Sequence, residues 1–181
     1  MQRRLFHVEL PLHPGWEAID PLRASVLACV KSVFPQPELA PSIAVVTAEL
    51  LENAVKFGRW DEGTSPFALR VDGDEYRVQI EVSNPVADGD ENVARLQGEL
   101  ARIAASPSPE QAYTKAVRAV ALGKSSSGLG LARCAHEGGC DLSAQVDANV
   151  DLGRQVDANV VRVRAVTRRL APTPPTPAAP A

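Results

Sequence analysis

The sequence predicts a single α/β domain in which amphipathic helices pack against one face of a β-sheet. Three observations support this class. Residues 67–71 and 76–82 alternate apolar and polar side chains, as neighbouring strands with one buried face do. Residues 43–57 repeat apolar side chains at helical spacing, so one stripe of that helix can face a sheet. The chain has 181 residues, of which 45% are hydrophobic, which is enough for one substantial core.

Composition and charge exclude several classes of function. With 19 Lys and Arg against 22 Asp and Glu, the net charge of −3 argues against a basic groove for nucleic acid. No apolar run reaches the roughly 18–20 residues that span a bilayer, and no signal-peptide core follows the N-terminus. Three cysteines, Cys29, Cys134 and Cys140, do not form a disulfide framework. We therefore expect a cytoplasmic protein with neither a nucleic-acid nor a membrane partner.

The domain is predicted to cover residues 1–170 and to be followed by a tail at 171–181. Five of the 15 prolines fall in the last ten residues, which carry no charge and no large apolar side chain. This Pro/Ala/Thr composition is typical of a disordered, polyproline-like segment.

The first two elements are a short strand and a helix. Alternation over residues 5–10 predicts an edge strand, which ends before the following prolines. Asp20 followed by Pro21 predicts an N-cap and the first position of a helix that continues to Phe34.

A second helix and a hairpin come next. The helix is predicted to begin at Glu38 or Ser42, to run to Phe57 and to end at Gly58, a suitable C′ residue. The Asp-Gly-Asp sequence at 72–74, between the two alternating strands, predicts the turn of the hairpin.

The second half of the chain contains three helical segments and two final strands. After a strand that ends near Asn84, the sequence predicts, in order, helices at 92–105 and 110–122, a loop at 123–127, a helix at 128–137, and strands at 142–146 and 160–166. Residues 145–150 recur identically at 155–160. Two copies are too few for a solenoid, so they predict a lengthened hairpin.

The second helix carries a polar group beside its apolar stripe. Glu49, Asn53 and Lys56 are spaced i, i+4 and i+7 and so share one flank. An amide oxygen can bind Mg²⁺, a lysine can contact phosphate, and a carboxylate can accept a proton. Alternatively the flank is only solvated, with Glu52 and Lys56 as an ion pair worth about 0.2–0.5 kcal/mol. Taken alone, the three residues favour the solvated flank.

Small residues at 125–131 mark the entrance to a later helix. Exposed backbone N–H groups and the helix dipole can bind an anion at such a junction. A P-loop is excluded because its first glycine position holds Arg118. A dinucleotide fingerprint is excluded because its third glycine position holds Arg133.

Together these motifs resemble the GHKL (histidine kinase-like) ATP-binding superfamily. The matching segments are Thr47-Ala-Glu-Leu-Leu-Glu-Asn-Ala-Val-Lys-Phe-Gly58, the strand ending near Asn84, and Gly128-Leu-Gly-Leu131, in that order within residues 38–147. The superfamily includes histidine kinases, gyrase-type ATPases and small anti-sigma-factor serine kinases. The resemblance implies the Bergerat fold, a two-layer α/β sandwich whose mixed, mostly antiparallel sheet has helices on one face.

The resemblance also implies roles for individual residues. Glu49 corresponds to the general base, Asn53 to the Mg²⁺ ligand and Lys56 to a contact on the phosphate side. An ATP lid would cover residues 86–127. The second glycine box, which closes over the triphosphate, would comprise Ser127, Gly128, Leu129, Gly130 and Leu131.

One position departs from the superfamily pattern. Where the first glycine box begins with an aspartate that binds adenine, this sequence has Asn84 followed by Pro85. The amide oxygen of Asn84 can still accept a hydrogen bond, but losing the charge weakens it by about 1 kcal/mol.

By size and lid arrangement the chain is most similar to the kinases of partner-switching systems. The resemblance then implies an ATP- and Mg²⁺-dependent serine/threonine kinase that phosphorylates a STAS-like antagonist. It also implies binding to a sigma factor or another regulator, and association into a homodimer. The alternative is a non-catalytic adaptor of the same fold that binds ATP weakly or not at all.

Overall fold

The protein is described by a computed structural model with a layer of helices on a layer of strands. The structure describes residues 4–11, 15–34, 36–60, 67–74, 76–123, 128–150 and 158–168. Its strands are β1 (Arg4–Pro11), β2 (Ala68–Asp74), β3 (Val78–Val86), β4 (Cys140–Val150) and β5 (Ala158–Thr167). Its α-helices are α1 (Ile19–Val33), α2 (Leu39–Phe57), α3 (Glu91–Ala104), α4 (Pro109–Ala121) and α5 (Leu129–His136). The tail predicted at 171–181 lies outside the described residues.

The strands form one sheet in the order β1-β2-β3-β5-β4. The four neighbouring pairs are all antiparallel, so the predicted two-layer α/β class is confirmed, although these ladders contain no parallel pair. The first strand lies at an edge of the sheet, as its short alternating pattern predicted.

The core lies between the sheet and helices α1 and α2. Alternate residues of the central strands point to the helices, and each contributes about 1.5–3 kcal/mol by leaving water. The fully buried side chains in this layer include Val30, Ile43, Val46, Leu51, Leu69, Val71, Ile80 and Ala165.

The opposite face of the sheet is polar. Glu81 pairs across the strands with Arg70 on β2 and Arg164 on β5. Its two carboxylate oxygens lie 3.7 Å from Arg70 Nη1 and 2.6 Å from Arg164 Nη2. Such a charged ladder is typical of the sheet face that helices leave to solvent.

One end of β3 lies beside the C-terminal half of α2. The β2 ladder ends at Ser83, while β3 continues past its predicted end to Val86. Pro85, which has no N–H, is tolerated at this local edge. Its carbonyl oxygen accepts a hydrogen bond from Arg59 N at 2.9 Å, which ties the segment after α2 to β3.

The two helices predicted between 86 and 127 are present, and side chains cap both. Asp90 accepts a hydrogen bond from Asn92 N at 2.8 Å at the start of α3. Ser108 accepts one from Gln111 N at 3.2 Å, and Pro109 occupies the first turn of α4. These caps explain why the Ser-Pro-Ser-Pro segment separates two helices instead of ending the helical region.

Two predicted helix ends are wrong in detail. A 3₁₀ turn at Trp16–Ala18 leads directly into α1, so Asp20 lies inside the helix and pairs with Arg23 at 3.1 Å instead of capping it. Gly58 is the C-cap of α2 with φ −73°, not a left-handed C′ residue. Glycine is needed there because a Cβ would overlap the ring of Trp60.

In two predicted hairpins the strands end at other residues than expected. Residues 72–74 belong to β2, and the turn falls later because Asp74 Oδ1 accepts hydrogen bonds from Tyr76 N and Arg77 N at 2.8 and 3.0 Å. The predicted strand at 142–146 extends to Val150, which pairs with Ala158. The first copy of the duplicated segment therefore lengthens the hairpin, while 151–157 lies outside the described residues.

Candidate functional site

A small cavity lies where α2, α3 and α5 meet the ends of β3 and β5. Its volume is about 70 Å³. Most of its wall is apolar, and its polar side chains are those of Asn53, Asn84, Asn92, Arg95 and Glu99. Gly128 and Leu131 complete the wall from α5. The fold thus brings together four of the predicted site residues that are far apart in sequence.

Asn53 has a buried polar atom without a partner. It lies one turn after Leu50, on the flank of the buried stripe of α2. Its Nδ2 is shielded from solvent and makes no hydrogen bond within the described part of the chain. An unsatisfied buried donor costs about 1–3 kcal/mol, so such a group calls for an explanation, such as a bound water or ligand.

Gly130 lies directly against the two polar residues of α2. A Cβ at this position would overlap the carboxylate of Glu49 and would lie 3.8 Å from Asn53 Nδ2. No other residue fits without displacing Glu49. The glycine of the predicted second box therefore meets the predicted base and the predicted metal ligand.

Glu49 is a half-buried carboxylate with an arginine partner. Its side chain is 18% exposed, and its Oε1 accepts a hydrogen bond from Arg133 Nη1 at 3.1 Å. Burial raises the pKa of Glu49, the hydrogen bond from Arg133 opposes that rise, and the charge of Glu52 adds to it. A carboxylate with a raised pKa is a better proton acceptor than an ordinary one.

Arg133 is a site residue that sequence reasoning did not identify. It also donates through Nε to Glu137 Oε2 at 2.8 Å, so it bridges two carboxylates. The i,i+4 spacing to Glu137 is visible in the sequence. The contact with Glu49, 84 residues away, depends on the packing of α5 against α2 and has no sequence signal.

Gly128 begins α5 in a conformation that favours glycine. Its φ is 88°, in the left-handed region, and it is the N-cap of the helix. The carboxylate of Glu99 packs against its Cα, where any Cβ would overlap it. Glu99 forms an ion pair with Arg102 one turn later on α3. Neither Glu99 nor Arg102 was a predicted site residue.

Asn84 presents an amide to the cavity. The residue is 4% exposed, and its Nδ2 donates to the carbonyl oxygen of Pro85 at 3.3 Å. The amide therefore keeps its Oδ1 atom as an acceptor. The amino group of adenine would need such an acceptor.

The other predicted residues have less direct positions. Lys56 is exposed and does not line the cavity. Its ammonium lies 5.1 Å from the ring centroid of Phe57, and Phe57 lines the cavity. Leu129 is the first residue of α5. Ser127 lies outside the described residues.

The described residues include no group of three or more His, Cys, Asp or Glu side chains arranged for a metal. Burial raises the pKa of Cys140 to about 12 and that of Cys134 well above its usual value, so both thiols stay protonated near neutral pH.

No described helix is both long enough and apolar enough to cross a membrane.

The fold has a solved counterpart. It is a chain in the crystal structure of the SiaB–SiaC complex from Pseudomonas aeruginosa, with a TM-score of 0.61 and 18% sequence identity over 91% of each chain. At this identity the similarity shows a common fold. No protein-family model matches the sequence, and no curated protein sequence matches it either.

The Arg133 contact predicts a shift in the titration of Glu49. In Arg133→Met the hydrogen bond that stabilises the charged carboxylate is lost, so the already raised pKa of Glu49 should rise further. Because Arg133 binds the ionised form of Glu49 more strongly than the protonated form, the variant should lose more stability at pH 7 than at pH 4. Carbon-13 NMR of the Glu49 carboxyl and denaturant unfolding at both pH values measure these effects.

Arg23→Met is the matched control, because Arg23 pairs with Asp20 on an exposed surface. It should leave the titration of Glu49 unchanged. An unchanged or lower pKa of Glu49 in Arg133→Met would contradict the assigned contact.

Proposed function

We propose that this protein is an ATP- and Mg²⁺-dependent serine/threonine kinase of the partner-switching type, which phosphorylates a STAS-like antagonist. The observation that carries the proposal is the buried Asn53 Nδ2, which has no hydrogen-bond partner among the described residues and lies beside Glu49 and Gly130. A buried amide with an unused donor, a carboxylate with a raised pKa and a glycine-lined helix entrance suit phosphoryl transfer.

The polar and apolar parts of the site suit the two ends of a nucleotide. Apolar side chains of β3 and β5 line the wall near Asn84, whose Oδ1 can accept from the adenine amino group. The N-terminus of α5 at Gly128 offers backbone donors and the positive end of a dipole to phosphate oxygens.

Asn53 and Glu49 would perform different tasks. Rotation of the Asn53 amide can present Oδ1 to a cation, and its Nδ2 then donates to a neighbouring oxygen. Mg²⁺, when bound, neutralises charge on the phosphate oxygens. Glu49 would accept the proton of the attacking hydroxyl, and Arg133 would hold its carboxylate in place.

The chemistry of these residues fits the nucleotide, but the space is small in this conformation. Pockets for small ligands usually measure about 300–1,000 Å³. The cavity measures about 70 Å³, and α3 forms one side of it with side chains that include Val93 and Leu96. A nucleotide therefore requires α3 to move.

A protein partner is part of the proposal. A chain of similar fold was solved in a SiaB–SiaC complex, which supports a role that involves a protein partner. The partner would be the STAS-like antagonist, together with a sigma factor or another regulator, and two copies of the chain could associate.

A second candidate is a non-catalytic adaptor of the same fold. It is favoured by Asn84 and Pro85, which stand where the resemblance expects an aspartate followed by glycines. Because Arg59 N holds the Pro85 carbonyl, this stretch is also tied down at the rim of the cavity. ATP binding separates the two candidates.

The kinase proposal predicts ATP binding that depends on Asn53. Calorimetric titration with ATP and Mg²⁺ should give a dissociation constant in the micromolar to submillimolar range. Asn53→Ala should largely abolish the signal, because the amide that meets the cation is removed. Glu52→Gln, an exposed change on the same helix, is the control and should bind like the unmodified protein. If no binding is observed at millimolar ATP, the kinase proposal is dropped in favour of the adaptor.

The proposed role of Glu49 predicts that its substitution reduces phosphate transfer without reducing ATP binding. Glu49→Gln should keep ATP affinity and lose γ-phosphate transfer to a purified STAS-domain protein of the same organism by about 100-fold or more, because the proton acceptor is gone. Glu38→Gln, at the exposed start of the same helix, is the control and should transfer normally. Equal transfer by Glu49→Gln and the unmodified protein would exclude Glu49 as the base.

A further inference from the structure

Glu99 is a charged side chain turned into the protein. Of the 14 residues of α3, it is the only one that is buried. Its side chain is 11% exposed, whereas the side chain of its partner Arg102 is 67% exposed. The carboxylate packs against Gly128 at the N-terminus of α5, where the helix dipole stabilises a negative charge.

A second cavity adjoins this carboxylate. It lies between α3, α4 and α5 and has a volume of about 420 Å³. Arg102 and Lys115 contribute cationic groups to its wall. Glu99 and Gly128 line both this cavity and the apolar one beside Asn53. The Glu99 carboxylate therefore lies at the boundary between a mostly apolar space, which Arg95 also lines, and a cationic space.

We propose that Glu99 is an internal gate that occupies the phosphate position at Gly128 and must leave before a nucleotide binds. This regulation rests on the proposed function of the same site. When Glu99 moves away, the two cavities join into a space within the range of about 300–1,000 Å³ that small ligands occupy. Adenine would lie in the mostly apolar part, and the phosphates would lie at Gly128, between Asn53 and the cationic part.

The two anions compete for the same positive groups. In the closed form Glu99 neutralises Arg102 and faces the N-terminus of α5. A phosphate at Gly128 would repel the carboxylate at close range, so both cannot be present together. Once Glu99 has left, Arg102 can bind phosphate oxygens through two parallel hydrogen bonds.

The gate lowers the apparent affinity for nucleotide without changing the contacts of the bound state. A ligand that binds only the open form has an apparent affinity reduced by the fraction of molecules that are open. Any contact that stabilises α3 in a position away from the core would raise the fraction of molecules in the open form. α3 is suited to such movement, because its remaining residues are exposed or only partly buried.

The test uses Glu99→Gln in the full chain, since glutamine keeps the shape of the side chain and removes its charge. Glu91→Gln, at an exposed position of the same helix, is the matched control. Hydrogen–deuterium exchange of residues 93–103 without nucleotide reports opening of α3, and calorimetry with ATP and Mg²⁺ reports binding. Glu99→Gln should speed exchange and tighten ATP binding, each by about fivefold or more, while Glu91→Gln changes neither.

The two readouts separate failure of the gate from failure of the nucleotide site. Unchanged exchange in Glu99→Gln would overturn the gate whatever the ATP result. Faster exchange with unchanged or weaker ATP binding would overturn competition between Glu99 and phosphate. Faster exchange with no ATP binding by any of the three proteins would overturn the proposed kinase function and, with it, the assignment of the phosphate position.

Discussion

The close approach of α5 to α2 at Gly130 is the contact on which the candidate site depends. Because residue 130 has no side chain, Glu49 and Asn53 can lie against the backbone of α5. The same approach brings Arg133 to Glu49 and places Leu131 and Gly128 at the cavity. A side chain at residue 130 would displace the carboxylate of Glu49 and so disturb its contact with Arg133.

Two carboxylates that are largely shielded from solvent are each paired with an arginine. Glu49 pairs with Arg133, and Glu99 pairs with Arg102; in both pairs the arginine is the more exposed partner. Neither anion is isolated in the protein, which limits the cost of burying it. With a net charge of −3, binding of a polyphosphate would depend on local groups such as these arginines and the start of α5, and not on a basic surface.

Much of the fold followed from periodicity and capping, whereas the contacts inside the site did not. The alternation of strands, the stripe of α2 and the Ser-Pro-Ser-Pro break gave the correct order of elements, because each is a local property. The burial of Glu99 was not predictable, since its i,i+3 pairing with Arg102 looks like an ordinary surface pair. The reason for glycine at position 58 was also missed, because a Cβ there would overlap the ring of Trp60, and no left-handed turn is involved.

The central claim is that the space between α2, α3 and α5 binds a nucleotide, and amide NMR during titration with ATP and Mg²⁺ tests it most directly. The account predicts that the largest shifts fall on Asn53, Asn84, Gly128 and Gly130, including the side-chain amide of Asn53. Shifts confined to the charged sheet face at Arg70 and Arg164, or no shifts at millimolar ATP, would contradict it.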